Sequence, residues 1–396
     1  MSNKFYTPDG FNDTLPSVCA FKKDAESKLR RLFSLHGYEE IETPGYEYCD
    51  IYTKPDFVKE EDLYKLTDSK GRLLCARYDG TIPAARYAAT LAKDRLPLRL
   101  SYIENMYRFN QTGGGKQSEF TQAGAELMGI TGSDSDAEII AMAIRSALEV
   151  GVEDLQVSIG QVGLFEGAVK QMGLDEETAL SVRNAIIAKD SVTIDRTAKE
   201  KGLTDSDRNI LLMFAESSGD TNILSSIKES FTEKTALDAI KNLEEILEAL
   251  EDYGYTKYVS VDLGLLGSEG YYTGVIFKGY TYEVGFPIIG GGRYDRTVGV
   301  FGRDMECVGF SLGLSLAITA LMRQGLELES PAAEAVVGYE KGNKDARSSA
   351  ISLADQMRLG GTSVILDTSG MNEEELNAFA DENDIQTVFW INGGQN

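Results

Sequence analysis

Leu98-Arg99-Leu100-Ser101-Tyr102-Ile103-Glu104-Asn105-Met106-Tyr107-Arg108-Phe109 and, beyond the polar, glycine-rich stretch Asn110 to Glu119, Phe120-Thr121-Gln122-Ala123-Gly124-Ala125-Glu126-Leu127-Met128 decide the fold class. Both runs have strand character, and a loop too short for a crossover makes them antiparallel neighbours. Upstream, Glu61 to Leu66, the turn Asp68-Ser69-Lys70-Gly71 and Arg72 to Arg77 repeat the pattern of strand, tight turn and returning strand. Successive hairpins build an antiparallel sheet; a dinucleotide-binding domain would alternate strands with helices.

The flanking segments complete the outline. Phe21, Ala25, Leu29, Leu32, Phe33 and His36 follow the spacing of an amphipathic helix that Gly37 ends, which makes His36 a packing residue on the apolar stripe. Tyr38 to Thr43 reads as a strand stopped by Pro44, which has no N–H to extend a ladder. A helix is predicted over Ser135 to Glu149 and a strand over Leu155 to Ile159. Long helical stretches then run from about Leu164 to Tyr253, ending in the periodic Ala236 to Leu250. Strands resume at Val259 to Leu263, Tyr271 to Lys278 and Tyr282 to Ile289, before a helix at Ser311 to Met322. After a linker near Glu329-Ser330-Pro331, the segments Ala335–Tyr339, Ala346–Leu359, Thr362–Leu366, Glu373–Glu382 and Thr387–Ile391 alternate strand and helix. The expected architecture is α+β. An antiparallel sheet flanked by helices occupies residues 1–163 and 257–328, a helical insertion 164–256 interrupts it, and a small α/β domain spans 332–396.

Composition narrows the function. With 63 acidic and 39 basic side chains the formal net charge is −24, which argues against a large tRNA-binding face because phosphates are neutralised by clustered Lys and Arg. Cys19, Cys49, Cys75 and Cys307 form no C-x-x-C pair and read as reduced, mostly buried thiols of a cytoplasmic protein. His36 is the only histidine, so His-based triads and His-rich metal sites are excluded. No signal peptide is read at the N-terminus, and no apolar run approaches the ~20 residues of a membrane span.

Several segments, in this order, resemble class II aminoacyl-tRNA synthetases, and the histidyl-tRNA synthetases most closely. The first helix with Tyr38-Glu39-Glu40-Ile41-Glu42-Thr43-Pro44 is similar to motif 1, which in that family builds the dimer interface. Arg77-Tyr78-Asp79-Gly80-Thr81 is similar to the family's R-P-E-G-T segment, with Asp79 where the family carries Glu. Tyr107-Arg108-Phe109 and Phe120 to Glu126 resemble motif 2. Tyr271-Tyr272-Thr273-Gly274 and Gly291-Gly292-Arg293-Tyr294-Asp295 resemble two stretches typical of the histidyl subgroup, and Gly309 to Gly313 the start of motif 3. A small C-terminal α/β domain resembles a shortened anticodon-binding domain.

A free amino acid needs acceptors for its ammonium, a cation for its carboxylate and polar groups for its side chain. Asp79, Thr81, Gln122 and Glu126 supply acceptors and Arg108 supplies the cation; Gln122 and Glu126, at i and i+4 in a strand, share a face. Tyr271 and Tyr272 alternate faces, so one lines the pocket while the other packs. The resemblance implies histidine as the ligand of these residues.

The same resemblance marks what is missing. Amino-acid activation needs cations to neutralise charge at the α-phosphate and leaving pyrophosphate, and each contributes about 2.7 to 4 kcal/mol. The family's motif 3 ends G-L-E-R, where this chain has Gly313-Leu314-Ser315-Leu316. Its R-G-L-D-Y-Y segment corresponds to Gly267-Ser268-Glu269-Gly270-Tyr271-Tyr272, and Asn110 and Gln111 replace a Glu-Arg pair, leaving Lys116 as the one basic residue of that loop. A synthetase scaffold with this altered ATP site resembles the regulatory subunits of short-form ATP phosphoribosyltransferases. These join a short catalytic chain in the first step of histidine biosynthesis and take part in feedback by L-histidine. The resemblance implies no catalytic residue, cofactor or metal, and self-association through the motif 1 region. A divergent histidyl-tRNA synthetase or amino-acid ligase, and an inert scaffold, are the alternatives.

Overall fold

A computed structural model of the chain describes residues 6–92, 95–109, 117–216, 218–219, 223–267 and 272–392. Two compact units result, a large one reaching to Glu327 and a small one beginning at Leu328, with Leu15–Ala20 grouped to the latter.

Along the chain come α1 (Pro16–Leu35), β1 (Glu39–Glu40), β2 (Tyr46–Tyr48), α2 (Asp50–Thr53), β3 (Lys65–Thr67), β4 (Leu73–Ala76), α3 (Thr81–Thr90), β5 (Leu98–Tyr107), β6 (Glu119–Met128), α4 (Ser133–Val150) and β7 (Gln156–Gln161). A helical block follows: α5 (Val162–Met172), α6 (Glu176–Ile187), α7 (Ser191–Glu200), α8 (Asp205–Glu216), the two-residue β8 (Ser218–Gly219), α9 (Ile223–Lys228) and α10 (Lys234–Asp252). In α10, Glu233 caps the N-terminus by accepting from the backbone N–H groups of Thr235 and Ala236, while Ile240, Leu243, Ile246 and Leu250 bury one stripe. The sheet resumes with β9 (Val259–Asp262), β10 (Val275–Tyr280), β11 (Ile289–Arg293) and β12 (Cys307–Gly313), and α11 (Leu314–Arg323) closes the unit.

Nine strands form the main sheet in the order β1-β5-β6-β12-β11-β10-β7-β9-β8. It is antiparallel except where β1 pairs with β5 and β7 with β9. Strand alternation sorts its two faces. On one face Ala125 stands opposite Phe310, and the Phe33 ring of α1 meets Phe310 edge to face at 6.2 Å. On the other, Glu126 stands opposite Gly309 and Gly309 opposite Gly292. Helices cover the first face; the second carries the polar residues singled out above. A separate antiparallel sheet, β2-β4-β3, puts Tyr46, Tyr48 and Leu66 on one side, 59%, 43% and 37% exposed.

In the small unit β13 (Ala335–Tyr339), α12 (Lys344–Leu359), β14 (Val364–Leu366), α13 (Glu373–Glu382) and β15 (Thr387–Ile391) form a parallel sheet, order β14-β13-β15. Ala335 and Val337 pack on Ala350 and Ala354 of α12, and Val336 on Leu376 and Ala380 of α13, so both faces are covered.

Three expectations change. Tyr282 to Ile289 is not a strand; the ladder is carried by Ile289–Arg293, whose glycines sit closely under the rings of Phe277 and Tyr272, a role that strand propensity counts against. Ser311 to Gly313 belongs to β12, and the helix starts at Leu314. His36 lies past the end of α1, is exposed, and uses Nδ1 to donate to the Leu32 carbonyl at 2.9 Å; it is a helix-end residue and not part of the core. Of the cysteines, Cys19 is exposed and the other three are buried, all as free thiols.

Arg293 fastens the end of β11 to the start of α4. Its buried guanidinium bonds Asp136 at 2.6 Å, the Ser135 hydroxyl at 2.8 Å and Asp295 at 3.2 Å. Removing it strands Asp136, which is 2% exposed. Arg293→Ala is expected to cost about 3 to 5 kcal/mol in urea unfolding, with Arg293→Lys recovering only part, because one ammonium cannot replace the forked donor set.

Candidate functional site

The site is assembled on the face of the sheet away from α1. The segment Arg77 to Thr81 enters it at the start of α3. Thr81 opens that helix, and its hydroxyl donates to Glu126 Oε1 at 2.9 Å. Asp79 caps the same turn through Oδ1, which accepts from the Ile82 N–H at 3.1 Å. β5 contributes Arg108 from just beyond its end. The guanidinium donates to the Tyr78 carbonyl at 3.2 Å and stacks over the rings of Tyr78 and Phe120, 4.5 and 5.2 Å from their centroids. No ion pair joins Arg108 to a carboxylate among the described residues.

β6 contributes Gln122 and Glu126. Glu126 has no solvent exposure and is held by three hydroxyls: Tyr294 to Oε2 at 2.5 Å, and Thr81 and Tyr102 to Oε1 at 2.9 and 3.3 Å. Burial pushes its carboxyl up to about 7, against the opposing pull of those hydrogen bonds. Burial likewise raises the Tyr294 and Tyr102 phenols well above their usual range, so both remain donors. Gly309 makes room: a Cβ there would lie 1.6 Å from Glu126 Oε2. Gln122 is 7% exposed; its Nε2 stands 3.5 Å from the Ser311 hydroxyl, and its buried Oε1 has no hydrogen-bond partner among the described residues. With Nε2 towards Ser311, the end left without a partner among the described residues is an acceptor.

Thus Asp79, Thr81, Arg108, Gln122 and Glu126 share one region, linked by the Thr81–Glu126 and Arg108–Tyr78 contacts. Tyr272 packs against Val162, Leu265 and Ile276, lying over Gly292. Tyr271 lies outside the described residues, as do Asn110, Gln111, Lys116 and the stretch Ser268 to Gly270. Tyr102 and Tyr294 escape sequence reasoning as site residues. For Tyr102 the signal was parity, since it alternates onto the same face as Glu126, and Tyr294 lay within the stretch Gly291 to Asp295 that the resemblance had already marked.

The two positions where the resemblance places synthetase arginines, Leu316 and Gly267, are built as follows. Leu316 stands in the first turn of α11, next to Ser315, whose hydroxyl accepts from the Thr121 N–H at 2.9 Å. Gly267 has φ of +70°, a left-handed backbone that strains an L side chain, and a Cβ there would also press on Ile276 Cδ1 at 2.9 Å. The carbonyls of Leu266 and Gly267 each accept from Arg183 Nη2 at 2.6 Å, which brings a cation of α6 to the backbone of this segment. Among the described residues no cluster of three metal-ligating side chains occurs, and no helix is long and apolar enough to cross a membrane.

Fold and site define a class II synthetase-like protein of the histidyl type: residues 10–316 match the family model described as histidyl-tRNA synthetase. The histidyl-tRNA synthetase of Nostoc sp. PCC 7120 shares the fold, with a TM-score of 0.81 at 22% identity over 96% of this chain and 90% of that one. The ATP phosphoribosyltransferase regulatory subunit of Acetivibrio thermocellus is 41% identical over 379 residues, covering 95% of this chain and 90% of the relative. That of Ruminiclostridium cellulolyticum is 40% identical over 357 residues, covering 90% and 84%. A crystal structure of an ATP phosphoribosyltransferase regulatory subunit/histidyl-tRNA synthetase from Bacillus halodurans C gives a TM-score of 0.87 at 31% identity over 99% of both chains. The chain belongs to the family of ATP phosphoribosyltransferase regulatory subunits.

The raised carboxyl of Glu126 gives a test of the site's electrostatics. Between about pH 4.5 and 7 the folded chain binds a proton at Glu126 that the unfolded chain releases, so its contribution favours folding at low pH and is lost as pH rises through about 7. Urea unfolding between pH 5 and 8 is expected to show this slope in the difference between the unaltered chain and Glu126→Gln. A difference independent of pH would place the carboxyl at its ordinary value.

Proposed function

We propose that the chain is a non-catalytic regulatory subunit of a short-form ATP phosphoribosyltransferase, which enables the catalytic chain and binds L-histidine as feedback effector in the face of Asp79, Thr81, Arg108, Gln122 and Glu126. The observation that carries this is the buried Gln122 Oε1 without a donor. An unfilled buried acceptor is costly, and an ammonium would satisfy it. Arg108, with no carboxylate of its own, supplies the complementary charge. An unfilled acceptor and an unpaired cation on one face suit a zwitterion. Histidine as that zwitterion rests on the likeness to histidyl-tRNA synthetases and on the names of the relatives.

Binding without chemistry follows from the lost cations. Leu316 cannot stabilise a phosphate, and Gly267 cannot be replaced by arginine without backbone strain. Adenylation would lack two groups each worth about a hundred- to thousandfold in rate. Feedback needs histidine to favour the less active assembly, and a differential of ~1 to 3 kcal/mol would give roughly a 5- to 150-fold effect. The subunit works in the cytoplasm without tRNA, cofactor or metal.

Calorimetric titration of the chain with its catalytic partner is expected to show saturable heat with L-histidine, while ATP–pyrophosphate exchange stays at background. Arg108→Ala should weaken binding roughly ten- to hundredfold, the range of a charge-assisted hydrogen bond. Absent heat removes the effector role, and histidine-dependent exchange establishes a synthetase instead.

Self-association is part of the proposal. Tyr46, Tyr48 and Leu66 form an exposed apolar side next to the motif 1 segment, suited to a second copy. Sedimentation is expected to give a dimer for the unaltered chain and a monomer for the double change Tyr46→Lys, Tyr48→Lys; an unaltered dimer would move the interface elsewhere.

A further inference from the structure

The helix-covered face of the sheet holds a second opening. The last turns of α1, the body of α4 and the pair Tyr253 and Tyr255 line an open cleft of about 420 Å³, within the roughly 300 to 1,000 Å³ of small-molecule sites. It lies on the side of Phe33 and Phe310, away from Glu126, and is therefore separate from the amino-acid pocket.

Its lining is amphipathic in a particular way. The buried side chains of Leu32 and Met142 supply an apolar base, beside the half-exposed Tyr253. Around them stand Lys28, already paired with Asp24 at 2.8 Å, and Arg31, Arg145 and His36. The two acids of the cavity are already engaged: Glu138 by Arg99 and the Tyr38 hydroxyl, Glu149 by Arg145 at 2.8 Å. Arg31 has no ion pair or hydrogen bond among the described residues. His36 spends Nδ1–H on the Leu32 carbonyl, which leaves Nε2 for a ligand. In a chain of net charge −24, a cavity with a free guanidinium is a specific feature and not an average of the surface.

We propose that this cavity is a second ligand site, taking a nucleoside phosphate. The forked donors of Arg31 match phosphate oxygens, and the Nε2 lone pair of His36 can accept from a ribose hydroxyl. The base of Leu32, Met142 and Tyr253 offers a flat ring apolar and aromatic contact.

The single histidine provides the test. In the full chain the imidazole Cε1–H resonance of His36 is the only one of its kind, so its shift reports this cavity alone. Titration with adenosine 5′-monophosphate is expected to move it saturably. Inorganic phosphate and adenosine, each added separately, should saturate at concentrations at least tenfold higher. Arg31 is exposed and makes no contact that folding uses, so Arg31→Glu should keep the thermal midpoint and abolish the response. Arg108→Ala, in the other pocket, should leave the response intact. The proposal is overturned by no shift at millimolar nucleotide, by an equal shift in Arg31→Glu, or by a shift seen only when the catalytic chain is added. Equal saturation by phosphate alone overturns the ring contact.

Discussion

The carboxylate of Glu126 has no contact with water, and much of the sheet around it is arranged to make that tolerable. A buried charge must be fully hydrogen-bonded or give up its ionisation. Three hydroxyls from three different elements converge on this one: Thr81 from α3, Tyr102 from β5 and Tyr294 from just past β11. The neighbouring strand must offer no side chain at the opposite position, and Gly309 meets that demand. Tyr294 is held in turn by the anchoring of Arg293 to Asp136. The fold and the floor of this face are therefore one network, and the proposed ligand groups Gln122 and Arg108 share the face with it.

On the function proposed above, the chain keeps the binding half of a synthetase site without its catalytic cations. Leu316 and Gly267, where the resemblance places synthetase arginines, contribute no hydrogen bond to Glu126. Activation chemistry and amino-acid recognition depend on different residues, so one can be removed while the other persists. Arg183 shows what the helical block adds: its guanidinium is directed to the carbonyls of Leu266 and Gly267, so a cation is still present there but is spent on backbone.

Much of this was legible before the structure. Long alternating runs such as β5 and β6 declare themselves through side-chain parity, and the small α/β unit through strict alternation of elements. The glycine strand β11 was not legible, because its residues are chosen for what packs over them and not for strand propensity. His36 was misplaced because a helical stripe was extended past the carbonyl that His36 itself caps. Within the site, Gln122, Glu126 and Arg108 were identifiable by type and resemblance. Tyr102, Tyr294 and Arg183 were not, because their contacts join elements that only the folded sheet brings together.

We propose a site that holds an amino acid on a scaffold that does not activate it. The most direct measurement is a crystal structure of the chain grown with L-histidine, ATP and magnesium. The account predicts histidine on the Glu126 face, its ammonium within hydrogen-bond distance of Gln122 Oε1 and its carboxylate on Arg108, with no adenylate formed. Histidyl-adenylate in that pocket, or a pocket left to water while histidine sits elsewhere, would contradict it.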